Sequence, residues 1–190
     1  RFALTPVGEV FRSDHPSMLR QDLLVERSPE WMVPMQHLGD IVRDGGPTGF
    51  VREFGCELFD YLDANPAFGD VFNAHMTSLS QDETQLFLEA LDSYDFSAFS
   101  RVCDIGGGHG HLLCHLLDAH PHLAGTVLER PTVIAEEDRL WAPKVGVEDR
   151  CTYEAGDMFE AVPEADAYFM KSILHDWADE ECRRIQIGRA

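Results

Sequence analysis

The spacing of apolar residues changes near residue 92 of the chain. Before that point apolar residues recur three or four positions apart, most clearly over 68–91, which places them on one face of a helix. Two breaker sequences divide this region: DGGP at 44–47 predicts a turn, and Asn65-Pro66 predicts a helix with proline in its first turn. We predict that residues 1–92 are helical apart from the first few residues.

After residue 92 short apolar runs alternate with helical patterns. Strands are predicted at 101–105, 126–129, 150–154 and 165–170, and helices at 110–119, at 131–140 and from about 179 onward. This alternation is typical of βαβ units with right-handed crossovers and a parallel sheet. The predicted fold class is therefore α/β, with the first four strands of a Rossmann-like sheet in residues 93–190. A doubly wound sheet that stops after four strands leads us to expect a fragment of a longer protein.

Charge narrows the choice of partners more than length or composition does. The 190 residues could hold one large domain or one and a half ordinary ones, and 44% hydrophobic residues is ordinary for a globular protein. However, 15 Lys and Arg against 34 Asp and Glu leave a net charge of −19. Such a surface repels phosphate backbones and anionic lipid, so we expect neither a nucleic-acid nor a membrane partner. The sequence also lacks an apolar run of the roughly 18 residues that a transmembrane helix needs.

The cysteines and the first residue bear on the compartment. Five cysteines are scattered without a CxxC pair or metal-ligand spacing. This usage predicts reduced thiols in a cytoplasmic protein and no metal site. No signal peptide is visible, but the chain begins with Arg1, which need not be the natural N-terminus.

A glycine-rich turn and an acidic residue point to a nucleoside cofactor. The turn, DIGGGHG at 104–110, lies between a predicted strand and its helix, where glycines let the backbone approach a ligand and a helix offers free N–H groups. A dinucleotide fingerprint would require glycine at position 111, which is His. Glu129 ends the next strand, where a carboxylate can accept hydrogen bonds from ribose hydroxyls. These features alone do not separate S-adenosylmethionine from NAD.

Two later segments add candidate chemistry. GDMF at 156–159 follows the third strand, where an Asp can bind the amino edge of an adenine and Met and Phe can pack on its faces, although Gly-Asp is also a common turn. KSILHDWADEEC at 171–182 follows the fourth strand. Its His175 lies at the carboxyl edge of the sheet, where ligands of open α/β folds bind. A lone His is more often structural, but imidazole titrates near neutral pH and could serve there as a general base.

These strings, together with VLERPTVI at 127–134, resemble the plant-type O-methyltransferase family, which includes caffeate, flavonoid, acetylserotonin and bacterial antibiotic-pathway enzymes. The resemblance extends to LTPVG at 4–8, similar to the end of a winged-helix segment expected over 1–10. It implies a class I methyltransferase sheet in 93–190, preceded by a helical region over 1–92 that lines the substrate and forms a homodimer.

The resemblance also implies roles for individual residues. The cofactor-binding positions for S-adenosylmethionine would be Gly106 at the methionine part, Glu129 at the ribose, Asp157 and Met158 at the adenine, and Lys171 beside the cofactor. His175 would be the catalytic base. Asp104 would help to position the glycine turn. Met76 borders the substrate in the family, although its helical spacing here also fits a core position.

The function predicted on this basis is methyl transfer to a hydroxyl, predicted to be phenolic, of a small aromatic or polyketide-type metabolite. Two alternatives stay open on the sequence: a homologue that binds the cofactor without methyl transfer, and an NAD(P)-dependent oxidoreductase. The family continues with further strands and with acidic residues that flank the catalytic His, and neither is present before Ala190.

Overall fold

A computed structural model describes residues 3–15, 19–91 and 93–187. The chain divides into two compact units, Arg1–Leu79 and Ser80–Ala190. The division falls inside the longest helix, whose last turns pack Leu88 and Leu91 on the core of the second unit. The proposed domain boundary at residue 92 stays a prediction, and residue 92 itself lies outside the described residues.

The first unit is helical, as predicted. Its helices are α1 Pro6–Glu9, α2 Leu19–Glu26, α3 Pro29–Met35, α4 Leu38–Asp44, α5 Gly49–Phe54, α6 Leu58–Ala64 and the start of α7 Pro66–Leu91. The predicted turn is present, because α4 ends at Asp44 and Gly45 has a φ of 68°. The predicted proline start is also present at Pro66. Within the described ranges no helix is long and apolar enough to cross a membrane.

Aromatic side chains form much of the interior of the first unit. Trp31 packs edge-on against Phe50, with ring centroids 6.1 Å apart, and Tyr61 stacks on Phe54 at 4.3 Å. Other large apolar side chains of this unit are exposed, including Leu4, Val7, Phe11, Leu19, Leu23, Leu24, Met32, Met35, Leu38 and Val42. Part of the surface of this unit is therefore apolar.

The second unit is an α/β sheet. Its elements are β1 Arg101–Ile105, α8 His111–Ala119, β2 Ala124–Glu129, α9 Pro131–Ile134, α10 Ala142–Val145, β3 Cys151–Ala155, β4 Ala167–Phe169 and α11 Asp179–Ile187, with 3-10 turns at Glu137–Arg139 and Leu174–Asp176. All the strands are parallel, in the order β3-β2-β1-β4. The predicted fold class is confirmed.

Alternation along the central strands builds a core on each face of the sheet. Val102 and Val127 point to the face covered by α8. Cys103, Ile105 and Leu128 point to the other face, which Met158 and Tyr168 help to cover. Because both faces of β1 are covered, four of its five residues are buried.

The helix predicted over 131–140 is wrong in its second half. The helix α9 ends at Ile134, and Glu136 leaves the helical conformation with φ −81° and ψ 58°. The Glu136 carboxylate lies 2.9 Å from His109 Nε2 and 2.9 Å from Arg139 Nη1. This contact with the glycine turn accompanies the break and is not visible in helical periodicity.

The fourth strand is shorter than the predicted 165–170. The Ala165 N–H donates to the Tyr168 hydroxyl at 3.1 Å, and that hydroxyl donates to the Pro163 carbonyl. Asp166 instead accepts the backbone N–H groups of Ser100 and Arg101 with its carboxylate. Ala165 therefore lies in a local loop, while the Asp166 N–H still donates to the Arg101 carbonyl of β1 at 2.8 Å.

Candidate active site

The carboxyl edge of the parallel sheet brings together the segments that carry the predicted site. The Gly106 N–H, just beyond β1, donates to the Leu128 carbonyl at 2.8 Å. The Gly156 N–H, just beyond β3, donates to the Glu129 carbonyl at 3.0 Å. Lys171 follows β4 at the same edge. This is the position where open α/β sheets bind ligands.

The glycine turn has a backbone that other residues would strain. Gly106, Gly108 and Gly110 have φ values of 68°, 59° and 83°. A Cβ on Gly107 would lie 2.6 Å from the Asp104 carboxylate, and one on Gly106 would overlap Ile173. The turn is therefore a tight backbone cradle at the start of α8, with Gly110 as the N-cap.

Glu129 lies against this cradle. Its Oε2 accepts the Gly108 N–H at 3.0 Å, and its Oε1 accepts the Arg130 N–H at 2.7 Å. Burial raises the pKa of the Glu129 carboxyl, while the two backbone N–H groups oppose that rise. The carboxylate predicted to bind the ribose is thus held at the mouth of the glycine turn by backbone donors.

Asp104 and Lys171 complete a group of interacting charges. Asp104 is only 3% exposed. Burial, followed by the negative charge of Glu129, raises the pKa of Asp104 to about 7, and the positive charge of Lys171 opposes the rise. Lys171 Nζ lies 3.2 Å from Glu83 Oε2 of α7. Asp104, Glu129 and Lys171 therefore interact electrostatically at this edge of the sheet.

The segment after β3 contains one exposed residue followed by two that pack against other side chains. Asp157 is exposed, and its Oδ1 accepts the Phe159 N–H at 2.8 Å. Met158 is half-buried against the core that contains Ile105 and Leu128. Phe159 packs edge-on against Trp177 with ring centroids 4.6 Å apart, and its contact with an adenine stays a prediction.

His175 lies on the 3-10 turn Leu174–Asp176. Its side chain is 66% exposed, and Nε2 lies 3.2 Å from Asp176 Oδ1. Partial burial raises the pKa of the Asp176 carboxyl. Asp176 is therefore an acidic neighbour of His175 within the described residues.

His111 occupies the position at which a dinucleotide fingerprint requires glycine. Its side chain is buried, with Nδ1 2.7 Å from Thr84 Oγ1. The Thr84 hydroxyl donates to the Ser80 carbonyl, so Nδ1 of His111 is the donor in their contact. Burial lowers the pKa of His111 to about 4. A neutral, packed imidazole therefore replaces the glycine that would allow close helix–strand approach.

Sequence reasoning did not find several residues that shape this edge. They are Glu83, which pairs with Lys171; Ile173, which lies over Gly106; and Ser172, with a φ of 56°. Ser172 stands alone in the described part of the chain as a non-glycine residue with positive φ. None of the three forms a motif, because their importance depends on neighbours that are distant in sequence or on backbone conformation.

Comparison with known proteins decides the family. The family model described as "O-methyltransferase domain" matches residues 35–187. This chain belongs to that family. The O-demethylpuromycin-O-methyltransferase of Streptomyces alboniger is 38% identical to it over 94% of the chain and 47% of the relative.

Solved structures agree with the family. The mitomycin 7-O-methyltransferase MmcR superposes with a TM-score of 0.87 at 34% identity, over 98% of this chain and 54% of that one. An O-methyltransferase from neocarzinostatin biosynthesis, solved with S-adenosyl-L-homocysteine and 1,4-dihydroxy-2-naphthoic acid, has a TM-score of 0.81 at 29% identity, over 99% of this chain and 56% of that one. The chain therefore spans about half the length of the relatives it matches.

Family membership bears on one of the two alternatives that the sequence left open, and a cofactor-binding homologue without methyl transfer stays possible. The oxidoreductase alternative depended on a dinucleotide fingerprint, and the buried His111 together with the family match leaves it without support. The roles predicted for individual site residues stay predictions.

Proposed function

We propose that the full-length protein transfers the methyl group of S-adenosylmethionine to a phenolic hydroxyl of a small aromatic or polyketide-type metabolite. The observation that carries the proposal is the arrangement of the glycine turn, Glu129 and Lys171 at one sheet edge in a chain of the O-methyltransferase family. The relatives named for puromycin, mitomycin and neocarzinostatin support the choice of substrate class.

The residues at this edge fit such a cofactor. Its ribose hydroxyls are donors for the Glu129 carboxylate, which already faces the glycine turn. The glycine turn offers backbone groups at Gly106, beside Ile173, to the methionine part, and Lys171 offers a positive charge. Asp157 is exposed where an adenine amino group could donate to it. When bound, the cofactor supplies an electrophilic methyl group on a positively charged sulfur.

His175 is proposed as the base. The protein has to align the acceptor oxygen with the methyl group and remove one proton, and a phenol loses its proton readily enough for a neutral imidazole. The exposed ring of His175 is accessible to an acceptor, and Asp176 Oδ1 can hold one ring nitrogen as donor. The other nitrogen would then accept the phenolic proton.

The first unit supports a homodimer as the assembly. Large apolar side chains such as Leu23, Met35 and Val42 are exposed on it, and such surfaces usually mark interfaces. Five free cysteines support a reducing compartment such as the cytoplasm. Light scattering of the full-length protein tests the assembly, and a monomer would refute it.

The function is tested by methyl transfer from labelled cofactor to a panel of phenolic acceptors, with S-adenosylhomocysteine binding measured alongside. His175→Gln should keep its affinity for S-adenosylhomocysteine and lose turnover by about 10²–10⁴-fold, the range for a general base. His122→Gln is the matched control, because His122 precedes β2 and its Nε2 contacts the Phe96 carbonyl instead.

Each outcome has a separate meaning. Binding without transfer to any acceptor would favour the non-catalytic homologue. Transfer by His175→Gln at the wild-type rate would show that another group removes the proton.

A further inference from the structure

The turn that carries His175 has few local restraints of its own. It is a single 3-10 turn, Leu174–Asp176, in which the Asp176 N–H donates to the Ile173 carbonyl at 3.2 Å and the Trp177 N–H reaches the Leu174 carbonyl at a long 3.4 Å. It follows Ser172, whose positive φ is strained for a residue with a side chain. A base must keep hydrogen-bond reach of its proton, so this turn needs an external restraint.

Cys182 supplies contacts on both sides of His175. Its thiol donates to the Leu174 carbonyl, with Sγ 3.2 Å from the oxygen, and lies 3.5 Å from the Trp177 carbonyl. The single S–H is shared between the two carbonyls and so connects Leu174, at the start of the turn, with Trp177, just after it. Cys182 is half-buried and is the last residue of the HDWADEEC string.

The helix that carries Cys182 is itself anchored. Ile185 lies three residues further on α11, on the same face, and is 1% exposed. On the other side, Trp177 packs on Phe159, and Arg184 of α11 lies 5.2 Å from the Phe159 ring centroid. The thiol thus extends from a fixed helix to a turn whose exit residue is also packed.

We propose that Cys182 is a positioning residue for His175: its thiol holds the backbone on either side of the base, so that the imidazole meets the acceptor hydroxyl at one distance and angle. The proposal rests on His175 being the base in the proposed function. It explains why a cysteine stands seven positions after the histidine, because the first turn of α11 brings that position back to the Leu174 carbonyl.

The test compares Cys182→Ala with Cys182→Ser in the full-length protein, using methyl transfer to the best phenolic acceptor. Cys182→Ala should lower kcat about tenfold, well within the roughly 10²-fold that a 1 Å misplacement can cost. KM for S-adenosylmethionine should stay within about twofold, because Cys182 contacts none of the predicted cofactor positions. Cys182→Ser keeps a donor at that site and should restore kcat to within about threefold of wild type.

Two further measurements separate positioning from general stability. Cys56→Ala removes another partly exposed thiol and should leave kcat unchanged. Hydrogen–deuterium exchange of peptides covering 174–178 should be faster in Cys182→Ala, whereas peptides covering β1 should exchange as in wild type. If Cys182→Ala does not fold, Cys182→Val keeps the volume without the donor and takes its place in the comparison.

The outcomes distinguish this proposal from the proposed function. If His175→Gln is impaired while Cys182→Ala keeps kcat within twofold, the positioning role is wrong and the base stands. If Cys182→Ser is as slow as Cys182→Ala, the role is one of packing and the proposal fails. If His175→Gln turns over at the wild-type rate, the base assignment fails first, and the positioning role falls with it.

Discussion

Two turns follow parallel strands at the same edge of the sheet, and they are built in opposite ways. The glycine turn follows β1, in which four of five residues are buried. Its Gly108 N–H donates to the Glu129 carboxylate, and its His109 ring contacts the Glu136 carboxylate. The His175 turn follows β4, which has three residues, none of them buried. Its contacts include the Cys182 thiol, the ring contact of Trp177 with Phe159, and backbone hydrogen bonds of 3.2 and 3.4 Å within the turn.

The difference suggests a division of labour. A cofactor site must position many groups at once, and a buried backbone is held in one conformation by the packing around it. A base needs one accessible side chain, and exposure of that side chain necessarily removes packing around it. Substitutions at the glycine turn should therefore change stability and cofactor affinity together, whereas those at the His175 turn should change turnover with little cost in stability.

The largest expected effect is at Gly106. Gly106→Ala combines a positive φ with overlap of its Cβ and Ile173, and should destabilise the protein by about 2–5 kcal/mol. Gly108→Ala is the matched control, since it has a positive φ but open space around its Cβ, and should cost about 1–2 kcal/mol. Urea unfolding measures both, and equal losses would show that Ile173 yields to the added methyl.

Asp104 should make stability depend on pH. Because its folded pKa of about 7 lies above the usual value, Asp104 stabilises the fold below pH 4, and that contribution is lost as pH rises through 7. Asp104→Asn does not titrate, so at pH 8 it should be more stable than wild type by at most about 4 kcal/mol. Thermal unfolding from pH 5 to pH 8 tests this, and a difference that stays constant with pH would contradict it.

Glu129 should affect cofactor binding as well as folding, because its carboxylate also accepts the Gly108 and Arg130 N–H groups. Glu129→Ala should weaken S-adenosylhomocysteine binding by about 1.5–3 kcal/mol, the scale of a hydrogen bond to a charged group. Isothermal titration calorimetry of the full-length protein measures the affinity. Glu154→Ala is the control, because this exposed carboxylate of β3 has no predicted cofactor role. Unchanged affinity in Glu129→Ala would refute the ribose assignment.

Ser172→Gly should have the smallest effect, and it should stabilise the fold, whereas Gly106→Ala should destabilise it. Ser172→Gly relieves the strained φ but adds freedom to the unfolded chain, so the net stabilisation should be about 0.5–1 kcal/mol. Ser172→Ala keeps the strain and should change stability by less than that. A thermal shift downward in Ser172→Gly would show that the serine side chain stabilises this turn.

Local sequence patterns correctly predicted the elements whose conformation depends on residues a few positions apart. The strand β1 and the helix start at Pro66 were found at their predicted residues, because apolar alternation and a first-turn proline act within a few positions. The prediction of a helix over 131–140 is wrong in its second half. There Glu136 has a non-helical backbone and contacts His109, which lies 27 residues earlier. Local pattern does not predict the contact of Phe159 with Trp177, because the two residues are 18 positions apart in the chain.

The sequence by itself determined the alternation of strands and helices, the glycine turn, and the acidic and basic residues that follow the strands. Those depend on chain period and on residue types that tolerate a given backbone. The tertiary structure decided which charges interact and which side chain restrains which turn. The Lys171–Glu83 pair spans 88 positions, and the Cys182 thiol reaches the Leu174 carbonyl only because α11 folds back on its turn. Such contacts depend on the path of the chain in space, which cannot be predicted from the spacing of neighbouring residues.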